Sequence, residues 1–239
     1  MKNDNVNIIY GRNPVKEALL SDRVKKVYIT NSFSDKFINP LLKEKQPFIR
    51  VVNIGDLNTL SHGGVHQGIV AEIKPYEYLD LNEVINRSKK VKIPVIVILD
   101  GIEDTHNLGA ILRSCDVFGV SGVVIPKHNQ VPLNATVAKS SAGAINFVPV
   151  SQVSSLQQAI QKLKDNGFWI VSSDGSAELS YLDLKYDFPV ALVIGSEGKG
   201  VSQLVLKNSD YIVKIPQYGH VNSLNASVAT GVILSKIRS

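Results

Sequence analysis

The chain has 239 residues, of which 44% are apolar and 20% charged, as is ordinary for a soluble globular protein with one large or two small domains. No window approaches the 18 or more uninterrupted apolar residues of a membrane span, and the first residues lack the apolar stretch of a secretory signal. We therefore expect a cytoplasmic protein with no membrane partner. Cys115 is the single cysteine, which excludes an intrachain disulfide and a cysteine-based metal site.

The net charge of +5 is concentrated in the first part of the chain. Residues 1–75 carry 11 Lys and Arg against 7 Asp and Glu, an excess of four. Residues 87–92 add four cations, and residues 93–239 balance at 11 against 11. Such an excess can hold a polyanion such as RNA by counterion release, but it is also common on ordinary solvated surfaces.

Short alternating elements in residues 8–75 predict a small α/β unit. Helices are predicted in the segments NPVKEALLS and DKFINPLLKEK, and strands in KKVYIT, FIRVVNI and GIVAEIK. The polar, charged segment 76–93 precedes Pro94 and predicts a linker with one helix. The predicted domains are therefore residues 1–75 and 94–239.

From residue 94 onward, apolar runs alternate with helical stretches, a pattern typical of an α/β domain. Strands are predicted in VIVILD, GVVIP, NFVPV, FWIVSSD, VALVIG and YIVKIP. Because these runs are continuously apolar, helices are expected on both faces of a mostly parallel sheet. Ligand sites of such sheets lie at the carboxyl ends of the strands.

The first strand, VIVILD, is followed by polar residues at the start of a helix. Thr105 or Asn107 can cap that helix by accepting a hydrogen bond from a backbone N–H. Arg113 lies two turns further on, among small and apolar neighbours, where it is either a functional cation or an ordinary surface arginine.

The strand VALVIG is followed by SEGKGVS, and residues 195–200 across this junction contain three glycines, at 195, 198 and 200. This spacing indicates a tight turn or a close approach of the backbone to another group. It matches neither the dinucleotide fingerprint nor a phosphate-binding P-loop, so a nucleotide-phosphate site is disfavoured. Glu197 within the turn is either a ligand-facing carboxylate or a simple charge near the start of a helix.

The strand YIVKIP is followed by a polar run before a helix of small residues. Asn222, Ser223 and Asn225 lie within four positions, whereas a helix cap requires only one such side chain. The surplus indicates a ligand. Ala226, Ala229 and Gly231 allow the helix that follows to pack closely against a neighbour.

Three of these segments resemble, in order, the three motifs of the SpoU (TrmH-type) family of RNA ribose 2′-O-methyltransferases: HNLGAILRSCDVFGV, VIGSEGKGVS and IPQYGHVNSLNASVATGVIL. The first unit, beginning IIYGRNPVKEAL, is similar to the ribosomal-protein-like RNA-binding domain of the ribosomal-RNA branch of that family. The resemblance implies a trefoil-knotted parallel sheet, S-adenosylmethionine as methyl donor, and a homodimer that shares active-site residues. The implied substrate is a guanosine of 23S rRNA.

The resemblance also implies roles for individual residues. The implied catalytic residues are Asn107, Arg113, Glu197, Ser223 and Asn225. The residues implied to bind the donor are Gly195, Gly198, Ile215, Pro216, Gly219, Leu224 and Asn225, and no metal is implied. We expect Glu197 to hold Arg113 or a loop, and glycines 195, 198 and 219 to let the main chain reach the adenosyl group.

Arg113 is the family's candidate general base, but a guanidinium holds its proton firmly at neutral pH. We therefore expect it to anchor a phosphate and to stabilise the developing alkoxide. Three alternatives stay open at this point. They are a tRNA 2′-O-methyltransferase of the same family, a non-catalytic RNA-binding protein on the same scaffold, and a nicotinamide-dependent reductase. The last is the least favoured, because this sequence lacks the glycine fingerprint of such enzymes.

Overall fold

Two β-sheets organise the part of the chain that the computed structural model describes, which is residues 7–220 and 223–239. The described residues up to 76, together with 133–147, form one compact unit, and the remaining described residues form the other. The helices described here are too short or too polar to span a membrane.

The first unit contains a four-stranded sheet in the order β1-β4-β2-β3. Its strands pair antiparallel except for β2 and β3, which are parallel. The elements are β1 (Asn7–Tyr10), α1 (Arg12–Leu20), β2 (Val24–Ile29), α2 (Ile38–Lys45), β3 (Phe48–Val51), α3 (Ile54–Leu60) and β4 (Ile69–Ile73).

A seven-stranded sheet organises the second unit, in the order β7-β6-β5-β10-β8-β11-β9, with every neighbouring pair parallel. The elements after residue 76 are α4 (Leu81–Ser88), β5 (Val95–Asp100), α5 (Thr105–Val117), β6 (Gly122–Pro126), α6 (Ala135–Ser140), a 3-10 turn (Ala144–Asn146), β7 (Val150–Val153), α7 (Leu156–Lys164), β8 (Trp169–Ser173), β9 (Leu179–Ser180), β10 (Val190–Gly195), α8 (Gln203–Lys207), β11 (Tyr211–Lys214) and α9 (Ala226–Ile237). Of these, α6 and the 3-10 turn belong to the first unit.

The central strands β5 and β10 are covered on both faces. Every residue of 95–99 and 190–193 is fully buried, so no alternate position along these strands faces water. Continuous apolar runs are therefore required, since each buried Val, Leu or Ile contributes about 1.5–3 kcal/mol. The predicted fold class, an α/β chain with a parallel sheet after a small α/β unit, is confirmed. The knotted threading stays a prediction.

The predicted linker contains one well-defined helix, α4. Asp80 caps it by accepting a hydrogen bond from the N–H of Asn82 at 2.7 Å, and the Glu83 carboxylate accepts one from the N–H of Asp80 at 3.2 Å. Leu81, Val84 and Ile85 are buried on one face of the helix and join the core of the second unit. Segment 81–88 is therefore part of that unit in its packing.

Most predicted elements lie where expected, with instructive differences. Strand β1, helix α3 and the two-residue strand β9 were not predicted. The predicted strand NFVPV overlaps the 3-10 turn, and strand β7 begins only at Val150. Val148 and Val150 are both buried, so the apolar pattern reports their burial correctly but not where the ladder begins.

Candidate active site

The loops that follow β5 and β10 lie side by side at the carboxyl edge of the parallel sheet, because these two strands are neighbours. The Asp100 carboxylate, at the end of β5, accepts a hydrogen bond from the N–H of Ser202 at 2.8 Å. This bond ties the end of β5 to the residue that precedes α8. Between β10 and Ser202 the chain makes a tight turn, in which the N–H of Gly200 donates to the carbonyl oxygen of Ser196 at 2.9 Å.

Gly195 is required by this turn. A Cβ atom at this position would lie 2.0 Å from the carbonyl carbon of Gly200 and 2.2 Å from the backbone nitrogen of Val201. Gly200 has a φ of 66°, in the left-handed region that favours glycine. By contrast, a Cβ at Gly198 or Gly219 would meet no atom within 4 Å. The expected close approach therefore occurs at Gly195, and its partner is the protein's own backbone.

Three of the predicted catalytic residues form a hydrogen-bonded cluster, which we call the amide–carboxylate triad: Asn107, Glu197 and Asn225. The side-chain Nδ2 of Asn107 donates to Glu197 Oε1 at 3.0 Å. The Nδ2 of Asn225 donates to Asn107 Oδ1 at 2.8 Å and also to Glu197 Oε1. These residues come from the segments that follow three different strands and are separated by up to 118 positions. The triad therefore exists only in the folded chain.

The residue that caps helix α5 differs from the prediction, and this leaves the Asn107 side chain available to the triad. The cap is Asp104, whose Oδ1 accepts from the N–H of His106 at 2.7 Å, so the expectation that Thr105 or Asn107 caps the helix is wrong. With its capping task taken by Asp104, Asn107 is buried and uses its amide for Glu197 and Asn225. Hydrogen bonding to the N–H of His106 lowers the pKa of the Asp104 carboxyl.

Asn225 serves two tasks at once. Its Oδ1 caps α9, accepting from the N–H of Ser227 at 2.9 Å and from that of Val228 at 3.4 Å, while its Nδ2 reaches the triad. Helices α5 and α9 pack against each other, and Ala226, the first residue of α9, is buried. A Cβ at Gly231 would make only an ordinary 3.7 Å contact with Ser114 Oγ, so glycine is not required there.

Two clefts adjoin the triad. The first is an open cleft with a volume of about 140 Å³, and its apolar wall includes Ile194, Ile215 and Leu224. Several predicted residues line this cleft: Gly195, Glu197, Ile215, Ser223 and Leu224. Ser196 and Glu197 also line the second cleft, together with Asn107 and Gly198.

The first cleft also contains a carboxylate that the sequence analysis missed, Asp174. It follows β8, and its Oδ1 accepts hydrogen bonds from the N–H of Ser176 at 2.8 Å and from the hydroxyl of the same residue at 2.5 Å. The signal was present in the sequence, because Ser173, Asp174 and Gly175 follow an apolar strand in the same way as the three motifs do.

Some predicted residues are not brought to these clefts. Pro216, Gly219 and Asn225 line neither one, although Ile215 and Gln217 on either side of Pro216 line the first. Asn225 adjoins the clefts only through its hydrogen bond to Glu197. Arg113 is exposed, lies six residues beyond Asn107 on α5, about 9 Å along the helix axis, and lines neither cleft. Asn222 lies outside the described residues.

Glu197 is expected to hold Arg113 or a loop. Within the described ranges it forms no ion pair with Arg113, and its partners are the two amides of the triad. The second carboxylate oxygen of Glu197 has no hydrogen-bond partner among the residues that the structure describes. In the same part of the chain, no three His, Cys, Asp or Glu side chains come together as metal ligands would.

Comparison with known families accounts for nearly the whole chain. Residues 94–235 match the SpoU rRNA Methylase family, and residues 8–79 match the family described as RNA 2′-O ribose methyltransferase substrate binding. A protein of Staphylococcus haemolyticus, whose name places it among TrmH family tRNA/rRNA methyltransferases, is 44% identical over 235 residues. The match covers 96% of this chain and 94% of that relative. The chain therefore belongs to the SpoU family of RNA methyltransferases.

Solved structures show the same fold. The SpoU methyltransferase AviRb of Streptomyces viridochromogenes matches with a TM-score of 0.83 at 23% identity, covering 97% of this chain and 88% of that one. AviRb has also been solved in complex with the cofactor AdoMet, and this structure matches with a TM-score of 0.80. A TrmH/SpoU tRNA modifying enzyme of A. aeolicus matches 66% of this chain and 82% of its own length, with a TM-score of 0.56 and 32% identity.

Proposed function

We propose that this protein transfers a methyl group from S-adenosylmethionine to a ribose 2′-hydroxyl of ribosomal RNA, with a guanosine of 23S rRNA as the target and the cytoplasm as the location. The observation that carries the proposal is the amide–carboxylate triad beside the first cleft, in a chain that belongs to the SpoU family. The match of residues 8–79 to a substrate-binding family supports RNA as the substrate.

The lining of the first cleft fits the methyl donor. Ile194, Ile215 and Leu224 offer apolar surface suited to an adenine ring, and Asp174 offers a carboxylate that can accept hydrogen bonds from hydroxyl or ammonium groups. When bound, S-adenosylmethionine supplies a methyl group activated by a sulfonium. The loop held by Gly195 shapes the wall of that cleft, so it fixes where the donor can lie.

The triad orients the acceptor. The unshared oxygen of Glu197 can accept a hydrogen bond from a ribose hydroxyl, and the amides of Asn107 and Asn225 hold that carboxylate in one position. Ser223 lines the same cleft and adds a hydroxyl. Positioning is the main contribution of these groups, because holding two reactants in line is worth roughly 7–11 kcal/mol of barrier.

Arg113 acts, in this proposal, on the site of a second subunit. Its distance along α5 from the triad and its exposed position favour an arrangement in which Arg113 of the partner subunit anchors the RNA phosphate and stabilises the developing alkoxide. The protein would then be a homodimer whose active sites each need both chains. The domain limits 1–75 and 94–239 are part of the same proposal, with the first as the RNA-binding module.

One experiment tests the reaction and its substrate. The protein is incubated with tritiated methyl donor and separated rRNA and tRNA fractions, and the labelled nucleotide is then mapped. Label on a 2′-O-methylguanosine of 23S rRNA is expected, whereas label in the tRNA fraction would favour the tRNA reaction suggested by the name of the A. aeolicus enzyme. Calorimetry with S-adenosylmethionine tests the alternative of a non-catalytic RNA-binding protein, since such a protein would show no heat of donor binding.

Mixing two impaired variants tests the shared site. Arg113→Ala and Asn225→Ala are each expected to have about 1% of the wild-type activity as homodimers, and after mixing by denaturation and refolding about a quarter of the wild-type activity should return. The reason is that half of the dimers then contain both variants, and one of their two sites is intact. Differently tagged chains would demonstrate that heterodimers have formed. If they form and activity does not return, Arg113 and the triad act within the same subunit.

A further inference from the structure

The outer strand pair of the first unit presents a surface that the methyl-transfer site does not use. Strands β2 and β3 pair in parallel, with Lys26 opposite Phe48 and Tyr28 opposite Arg50. Alternate residues of a strand share one face, and directly paired residues point to the same side. These four side chains therefore lie together on one face of the sheet, which we call the β2–β3 face.

Aromatic and cationic groups alternate across this face. Lys26 Nζ lies 5.0 Å from the centroid of the Tyr28 ring and 5.1 Å from that of the Phe48 ring, within the range of cation–π contacts. Phe48 is nevertheless 65% exposed, and every residue of the edge strand β3 is exposed. An exposed aromatic ring beside two cations can stack on a nucleobase while the cations contact the neighbouring phosphates.

The charges of the face are available to a ligand. Neither Lys26 nor Arg50 takes part in an ion pair within the described part of the chain. One carboxylate neighbours the face on β4, since Glu72 is opposite Lys26. Residues 1–75 carry a net excess of four cations, which complements a polyanion.

A concavity continues the face on one side. Its volume is about 710 Å³, and its lining includes Tyr28 and Arg50 from the sheet and the polar side chains of Asn53 and Thr59. Asp56 is the acidic residue of that lining, so a phosphate is expected on the Arg50 side and a base on the polar side.

We propose that the β2–β3 face binds an unpaired segment of the RNA substrate, with a nucleobase stacked on Phe48 and backbone phosphates beside Lys26 and Arg50. The inference rests on the proposed function for RNA as substrate and adds which surface binds it and in what state. Unpaired RNA is favoured because stacking on a side chain needs a base whose ring face is not covered by its neighbours. A double helix keeps its bases stacked internally and would leave Phe48 without a partner.

Fluorescence anisotropy with the full-length protein tests the proposal. The probes are a fluorescein-labelled 12-nucleotide RNA of mixed sequence that forms no structure, and the corresponding 12-base-pair duplex. Phe48→Ala is expected to raise the Kd for the unpaired RNA by roughly 5- to 100-fold, as the loss of one stacked base does, while Phe48→Trp retains the affinity. The Kd for the duplex should change by less than about 2-fold.

Phe37→Ala is the matched control. Phe37 is also an exposed phenylalanine, at 59%, with two lysines over its ring at 5.4 and 4.9 Å, but it precedes α2 and is not on the sheet. It should bind the unpaired RNA as the wild type does. An equal loss of affinity in Phe37→Ala and Phe48→Ala would show diffuse attraction to any lysine-flanked ring and would overturn the proposal.

The salt dependence separates stacking from charge. Arg50→Gln should reduce the slope of log K against log salt by about 0.7, the value for one phosphate contact with a single strand, and Phe48→Ala should leave the slope unchanged. Unchanged melting temperatures of these surface variants would exclude unfolding as the cause.

Failure of this inference is distinguishable from failure of the proposed function. If the wild type methylates RNA while Phe48→Ala keeps both its Kd and its KM for RNA, the face is wrong and the function stands. If donor calorimetry and methyl transfer fail but Phe48→Ala still loses affinity for unpaired RNA, the function is wrong and the face stands. A self-association that Phe48→Ala abolishes, with RNA binding unaltered, would make the face a protein interface and overturn the proposal.

Discussion

Asn225 allows the structural and chemical parts of the site to be separated by two substitutions. Its Oδ1 caps α9, and its Nδ2 donates to Asn107 and Glu197. Asn225→Ser keeps a side-chain oxygen for the cap but removes the amide donor, because serine is as good an N-cap as asparagine. Asn225→Ala removes both the cap and the donor.

The expected magnitudes differ for the two properties. Loss of the cap costs about 1 kcal/mol, which for a chain of this size lowers the melting temperature by about 2–4 °C in Asn225→Ala. Both variants also lose the hydrogen bonds donated by Asn225 Nδ2, so Asn225→Ser should melt below the wild type but about 2–4 °C above Asn225→Ala, and that difference measures the cap. Turnover should fall about 100-fold in both variants, because Glu197 loses one of the two amides that hold its carboxylate in place.

The assays are thermal melting by circular dichroism and methyl transfer at saturating donor. Asn134→Ser is the matched control, since Asn134 caps α6 with its Oδ1 in the same way, 3.0 Å from the N–H of Val137, but shares no hydrogen bond with the triad. It should be as active as the wild type. An Asn225→Ser variant with wild-type turnover would refute the role assigned to the triad.

Three further predictions concern the loop, the end of the chain and the cysteine. Gly195→Ala should lose donor binding and about 1–3 kcal/mol of stability, since its Cβ would overlap the backbone of Gly200, while Gly198→Ala should bind S-adenosylmethionine normally in calorimetry. The Arg238 guanidinium donates to the carbonyl oxygens of residues 93, 118 and 119 at 2.8–2.9 Å, so Arg238→Lys should lower the melting temperature by about 4–8 °C; an unchanged value would show that water replaces these bonds. Burial raises the pKa of the Cys115 thiol, and iodoacetamide at pH 8 should therefore alkylate it only in denaturant, a result that labelling of the native protein would contradict.

Elements with a strong local pattern were predictable from the sequence. The apolar runs of β5 and β10 have one explanation, burial on both faces, and helices such as α7 are visible as amphipathic stretches. Strand β1 and helix α3 are short, with four and seven residues, and offer too few periods to be distinguished from loops. The start of β7 was misplaced because burial alone does not tell a strand from a turn.

The residues of the candidate site also separate into those that the sequence predicts and those that it does not. Asn107, Glu197 and Asn225 were identified as polar residues at strand ends, since the chain order of strands, loops and helices is a local property. Asp174 was missed because its neighbours are ordinary for a loop, and its importance comes from lining the cleft beside Gly200. The cap of α5 was assigned to the wrong residue, since Asp104, Thr105 and Asn107 are all chemically able to cap.

The sequence by itself determined the order of the elements, the buried strands, the three polar strand ends and the family resemblance, because each of these depends on residues close together along the chain. Only the tertiary structure decided that Asn107, Glu197 and Asn225 share hydrogen bonds, that Gly195 makes room for backbone five residues away, and that Arg113 is left outside the clefts. The physical reason is that hydrogen bonds and steric contacts act over a few ångströms. Which distant residues come that close is set by the packing of the strands.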